Sequence, residues 1–74
     1  MQEIIGIRDK LKREVEELDG GYATIAKLLK TSTSNVHKTL GEQNIPRLTT
    51  LETIKDAVDT ARKKQLARIS QLNA

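Results

Sequence analysis

At 74 residues the chain suits one domain, and a domain that small is marginal alone because it buries only about 60% of its unfolded surface. With no cysteine and a single histidine, a disulfide staple and a Cys/His metal site are both excluded; with Tyr22 the only aromatic, the core must be built of Ile, Leu, Val and Ala. The formal net charge of +3 is modest, so its distribution along the chain matters more than its size.

Ile4, Ile7, Leu11, Val15 and Leu18 recur every three or four residues with charged residues between them, which predicts an amphipathic helix over roughly residues 2–18. Asp19-Gly20-Gly21 is expected to end it, since glycine takes the left-handed conformation at a helix C-terminus without a side-chain clash. Residues 22–30 then predict a short second helix, with Ile25, Ala26, Leu28 and Leu29 as its buried face. The run Thr31-Ser32-Thr33-Ser34-Asn35 breaks that pattern, because short polar side chains bond nearby backbone and favour turns and helix starts. Ser32 is the best N-cap for a third helix over 33–40, with Val36 and Leu40 inward and Gly41 closing it.

Residues 42–48 are expected to form a loop held by Pro46. Thr49-Thr50-Leu51-Glu52 has the spacing of a capping box, in which Thr49 caps the Glu52 amide and Glu52 reaches back. Leu51, Ile54, Val58 and Ala61 mark a fourth helix, and with no breaker after them it is expected to run over about 50–72. Its apolar stripe changes phase: Leu66, Ile69 and Leu72 resume after a gap of five. The first group is expected to pack on the domain and the second to face something else, a homodimer interface through Leu66, Ile69 and Leu72, with a frayed tail as the plainer possibility.

The charge is uneven. Residues 1–21 hold four basic and six acidic side chains. Residues 22–47 hold Lys27, Lys30, Lys38 and Arg47 against Glu42 alone, and residues 48–74 hold five basic and three acidic side chains. A polyanion would therefore be met by the middle and C-terminal parts of the chain. No apolar run approaches the roughly 20 residues of a membrane span, and MQEIIGIRDK lacks the pattern of a secretory signal, so a soluble, cytoplasmic protein with no membrane partner is expected.

A short helix, a turn and a second short helix within 22–41 need a small residue at the crossing, which Ala26 supplies, and inward apolar residues, which Ile25, Leu29, Val36 and Leu40 supply. The stretch IAKLLKTSTSNVHKTLG resembles the helix-turn-helix of the Cro/repressor (XRE-like) family of phage and bacterial regulators. The continuation PRLTTLETIKDAV resembles the next helix in that family, so the resemblance covers about residues 22–58. It departs at three places. Lys30 stands where the family usually has the turn glycine, so either Lys30 takes a positive φ at some cost or the turn is shaped differently; Thr31 and Thr39 stand where apolar residues are usual.

The resemblance implies an all-α domain of about four helices that binds double-stranded DNA as a transcriptional regulator, with helix 33–40 in the major groove, no cofactor and no small-molecule effector. Carried over position by position, it implies that Thr33, Ser34, His37 and Lys38 meet base edges, and that Tyr22, Lys27, Ser32, Asn44 and Arg47 hold phosphates. The chemistry suits this: lysine bonds guanine O6 or N7, and Ser and Thr bond any base. The same residues also read more plainly, Ser32-Thr33-Ser34 as a capped helix start and the lysines as solubilising charge. Catalysis is not expected, since there is no cysteine, no phosphate-binding glycine loop and no carboxylate spaced to pair with His37. A second function is carried by NVHKTLGEQNIPRLTTLETI, which also resembles short antidote proteins and implies an antitoxin that neutralises a toxin protein.

Overall fold

The computed structural model describes residues 2–73 and is all-helical: α1 (Gln2–Glu17), α2 (Gly21–Leu29), α3 (Thr33–Thr39) and α4 (Leu48–Asn73). α1 carries its apolar stripe inward. Leu11, Val15 and Leu18 are buried and Ile4 packs against them. Ile7, expected on the same face, is instead 41% exposed. At about 100° per residue Ile7 and Arg8 lie on opposite edges of the stripe, and the fold covers the Arg8 edge, where the loop after α3 comes in.

The turn after α1 is tighter than expected. Gly20 (φ 80°) caps α2 and Gly21 (φ 49°) is its first residue, so the second helix starts one position before Tyr22. Gly21 N–H bonds the Leu18 carbonyl at 3.0 Å, and Thr24 Oγ1 donates to the Asp19 carbonyl at 2.9 Å. Both glycines sit at positive φ, where a Cβ would be strained.

α2 buries Ile25 and Ala26, with Leu28 and Leu29 partly buried. α3 buries Val36, and Leu40 at its end is buried as well. α1, α2 and α4 pack on one another, whereas α3 packs on α2 alone among the helices.

α4 begins at Leu48, two residues earlier than expected. The Leu51 N–H bonds the Arg47 carbonyl at 3.1 Å, and Thr53 Oγ1 donates to the Thr49 carbonyl at 3.0 Å. Thr49 therefore lies inside the first turn and cannot cap it, so the capping box does not form. Buried Pro46 brings the chain in one residue before Arg47, and the helix starts from there. Over its first half α4 buries Leu51, Ile54, Ala57, Val58 and Ala61. Its 26 residues span about 39 Å at 1.5 Å per residue, against a longest molecular dimension of 45 Å. The second half therefore runs along and past the body, leaving Leu66, Ile69 and Leu72 at 60%, 45% and 85% exposure. Among the described residues no helix is long and apolar enough to cross a membrane.

Candidate nucleic-acid interface

The turn between α2 and α3 is built by hydrogen bonds that its sequence makes available. Lys30 lies in the left-handed region (φ 57°, ψ 44°), the only described non-glycine residue at positive φ. Its N–H bonds the Lys27 carbonyl at 3.3 Å and the Thr31 N–H bonds the Ala26 carbonyl at 2.9 Å, the paired 5→2 and 6→1 closure of a Schellman motif. Of the two shapes open to this turn, the chain takes the first: Lys30 accepts the conformation that glycine adopts freely.

Ser32 then caps α3. Its φ of −86° and ψ of 152° are extended, and its Oγ accepts from the Asn35 N–H at 3.1 Å. Asn35 Nδ2 donates to Thr31 Oγ1 at 2.8 Å, tying the turn to the first turn of the helix. Thr39 Oγ1 donates to the Asn35 carbonyl at 2.8 Å, so this threonine, in a usually apolar position, satisfies its hydroxyl within its own helix.

On this frame Thr33, Ser34, His37 and Lys38 are all exposed, and Val36 and Leu40 point the other way into the core. Helical spacing puts the four within about 140° of arc. No acidic side chain lies on α3. The four residues are thus brought together on one outward surface.

His37 is more restrained than its spacing alone suggests. Its ring stacks on Tyr22, centroids 3.8 Å apart and planes inclined at 23°. Tyr22 Oη in turn donates to Glu16 Oε1 at 3.2 Å. Partial burial, then the nearby Glu16 carboxylate and the hydrogen bond to it, push the Tyr22 hydroxyl above its ordinary value of 10.0. Glu16, Tyr22 and His37 thereby link α1, α2 and α3, a contact that crosses 21 positions of sequence and has no local signature.

The remaining expected phosphate contacts divide. Lys27 is exposed on α2 and Arg47 is exposed where the chain enters α4. Asn44, by contrast, has structural work: its Nδ2 donates to the Thr39 carbonyl at 2.8 Å, closing the end of α3. Its own carbonyl accepts from Arg8 Nη1 at 2.7 Å, and the Glu42 carbonyl accepts from the same nitrogen at 3.1 Å.

Arg8 is the residue that sequence reasoning missed. It is 4% exposed, and Asp9 Oδ1 accepts from its Nε and Nη2 at 2.9 and 2.8 Å. It fixes the loop after α3 against α1. The signal for it was present: Arg8 is four residues after Ile4 and three before Leu11, on the inward face of a helix otherwise read as apolar there.

Among the described residues no three His, Cys, Asp or Glu side chains stand close enough to hold a metal ion. Comparison with protein-family models, with curated proteins and with solved structures finds no match to this chain. The functional reading therefore stands on the geometry of its own residues.

Proposed function

We propose that this chain is a sequence-specific double-stranded DNA-binding protein of the helix-turn-helix type, a phage- or prophage-like transcriptional repressor that acts as a dimer and lays α3 into the major groove. One observation carries the reading: α2, the left-handed turn at Lys30 and the capped α3 together hold Thr33, Ser34, His37 and Lys38 on one exposed, acid-free face.

In this reading Lys38 is a guanine donor, and Thr33 and Ser34 bond whichever base edges lie below the N-terminus of α3, the part that enters a groove most deeply. His37, seated on Tyr22, is presented with little rotamer freedom left to lose on binding. Ser32, Lys27 and Arg47, all exposed, are the residues assigned to phosphates on either side. Tyr22 reaches a phosphate only by giving up its hydrogen bond to Glu16. Asn44 serves chiefly by holding the loop that precedes Arg47.

The experiment is duplex binding measured between about 50 and 200 mM salt, where each neutralised phosphate steepens the slope of log K against log salt by about −0.9. A steep slope is expected, with Lys38→Ala losing about 1–3 kcal/mol of preference at particular base pairs and Arg47→Ala weakening all sequences alike. A flat salt dependence, or a selected DNA sequence unchanged by Lys38→Ala, overturns the reading. Binding of a small toxin-like partner in its place would point to an antidote protein.

A further inference from the structure

The first half of α4 buries one stripe; a second stripe runs along the same helix from Leu48 to Ile69 and faces outward. It comprises Leu48, Glu52, Lys55, Asp59, Arg62, Leu66 and Ile69, at alternating intervals of four and three residues. That is the 3.5-residue spacing of a helix–helix seam, with apolar residues at its ends and charged residues at the four middle positions. Leu48 and Leu66 are eighteen residues apart, five full turns at 3.6 residues per turn, and so share one face. Leu48, Leu66 and Ile69 are exposed at 51%, 60% and 45%, and Asp59 is the only member that is half-buried.

The order of charges along the stripe is self-complementary when reversed. Laid antiparallel on itself, Leu48 meets Leu66, Glu52 meets Arg62 and Lys55 meets Asp59, and by symmetry each pair occurs twice. A parallel alignment sets Glu52 on Glu52 and Arg62 on Arg62. The geometry points to an antiparallel, two-fold homodimer in which α4 packs on α4 of a second copy along this stripe, its two apolar ends supplying burial and its charged centre setting direction and register. Isologous contact of one patch with itself is what a two-fold axis requires, and alternating charges across such a seam choose partner and orientation.

The structure supplies a seat for the apolar end. Ile7 and Leu48 border a groove of about 300 Å³ between α1 and α4, and buried Leu11 and Leu51 form part of its lining. In the antiparallel arrangement Leu66 of the partner subunit arrives at this groove. Glu14 lines it too, and Glu14 Oε2 is buried with no hydrogen-bond partner among the described residues. The cation that the seam brings alongside is Arg62 of the partner subunit, opposite Glu52, which also lines the groove. Lys10 and Lys55 complete the rim. At the two-fold centre, Lys55 and Asp59 already pair within one chain at 3.3 Å, and the second copy turns this pair into a ring of four alternating charges. Leu72, 85% exposed, falls off the seam, which assigns the interface to Leu48, Leu66 and Ile69 ahead of the last leucine.

This interface rests on the dimer part of the functional reading and not on DNA, so its test is run without DNA. Sedimentation is measured for the intact chain, for Glu52→Arg, for Arg62→Glu, and for an equal mixture of the two variants, with circular dichroism confirming that each is helical. The intact chain is expected to be a dimer at roughly 100 µM, and each single variant to lose about tenfold or more in self-association, since like charges then meet at both ends. The mixture is expected to recover association, because only across the two different chains does every Arg again face a Glu. The double variant carrying both changes is expected to pair with itself, which covers the case of a single variant that folds poorly. A monomeric intact chain, a dimer indifferent to both single changes, or a mixture and a double variant that both stay monomeric overturns the proposal, whatever the chain's behaviour toward DNA.

Discussion

α3 and the first half of α4 are held in place by different physics. α4 lays five apolar residues into the core between Leu51 and Ala61, and its first turn closes with the backbone bond from the Leu51 N–H to the Arg47 carbonyl. α3 has seven residues, packs on α2 alone and buries only Val36 within its length. An isolated helix that short is far from stable, because nucleation fixes several residues before propagation repays it. Hydrogen bonds make up part of the difference: the Ser32 cap, the Asn35–Thr31 bond, the Schellman closure before it and the Asn44 bond to the Thr39 carbonyl after it. The lesson is that a helix that leaves most of its surface outside the core buries little, so its ends must be specified by side-chain chemistry.

The largest effect that tests this contrast is in α4. Leu51, 1% exposed, is expected to lose about 2–5 kcal/mol of stability on change to Ala, from lost burial and the cavity left behind. Leu72→Ala, on the same helix but 85% exposed, is expected to stay within about 0.5 kcal/mol. Denaturant unfolding of the two variants measures both, and comparable losses would mean that the far end of α4 is part of the core.

At α3 the expected changes are smaller and opposite in sign on the two sides of Thr31. Ser32→Ala removes the cap on the Asn35 amide and is expected to cost about 1 kcal/mol. Lys30→Gly relieves the left-handed strain of a Cβ, offset by the greater freedom of glycine in the unfolded chain, and is expected to stabilise by about 0.5–1 kcal/mol. Thermal unfolding gives the sign of each. If Ser32→Ala were neutral while Leu51→Ala was costly, α3 would be held by packing after all.

The smallest effect concerns Tyr22, which joins α3 to α1 through His37 and Glu16. As the only aromatic residue with an ionisable hydroxyl, it can be followed by tyrosinate absorbance without interference. Its folded-state midpoint is expected above 10.0, and Glu16→Gln is expected to bring it partway down, since burial remains while the carboxylate is gone. A raised value means that the neutral hydroxyl is favoured in the fold. The stability it contributes is therefore full below the unfolded value and is lost as pH rises through the folded one. A midpoint unmoved by Glu16→Gln would remove the Glu16–Tyr22 contact from the ties between α1 and α2.

Much of the architecture was legible because it is written in local spacing. The four helices follow from apolar periodicity, the α3 cap from Ser32 standing before a helical run, and the long α4 from the lack of any breaker after Leu51. The phase change in α4 likewise separated buried Leu51, Ile54, Val58 and Ala61 from exposed Leu66, Ile69 and Leu72. The exposed set on α3 followed from Val36 and Leu40 claiming the inner face.

Tertiary structure alone decided the rest. Periodicity places a residue on a helix face but does not say what lies opposite, so Ile7 was expected inside and is half out, while Arg8 is inside because the Glu42 and Asn44 carbonyls come within its reach. Local spacing matched a capping box at Thr49, yet where α4 starts was settled by the path of the chain through buried Pro46 to Arg47. The stacking of Tyr22 on His37, and the groove that Ile7 and Leu48 border, exist only once separate helices are brought side by side. One-dimensional spacing records which side chains share a surface. Which surfaces meet is set by how whole helices pack, and that depends on every residue of the core at once.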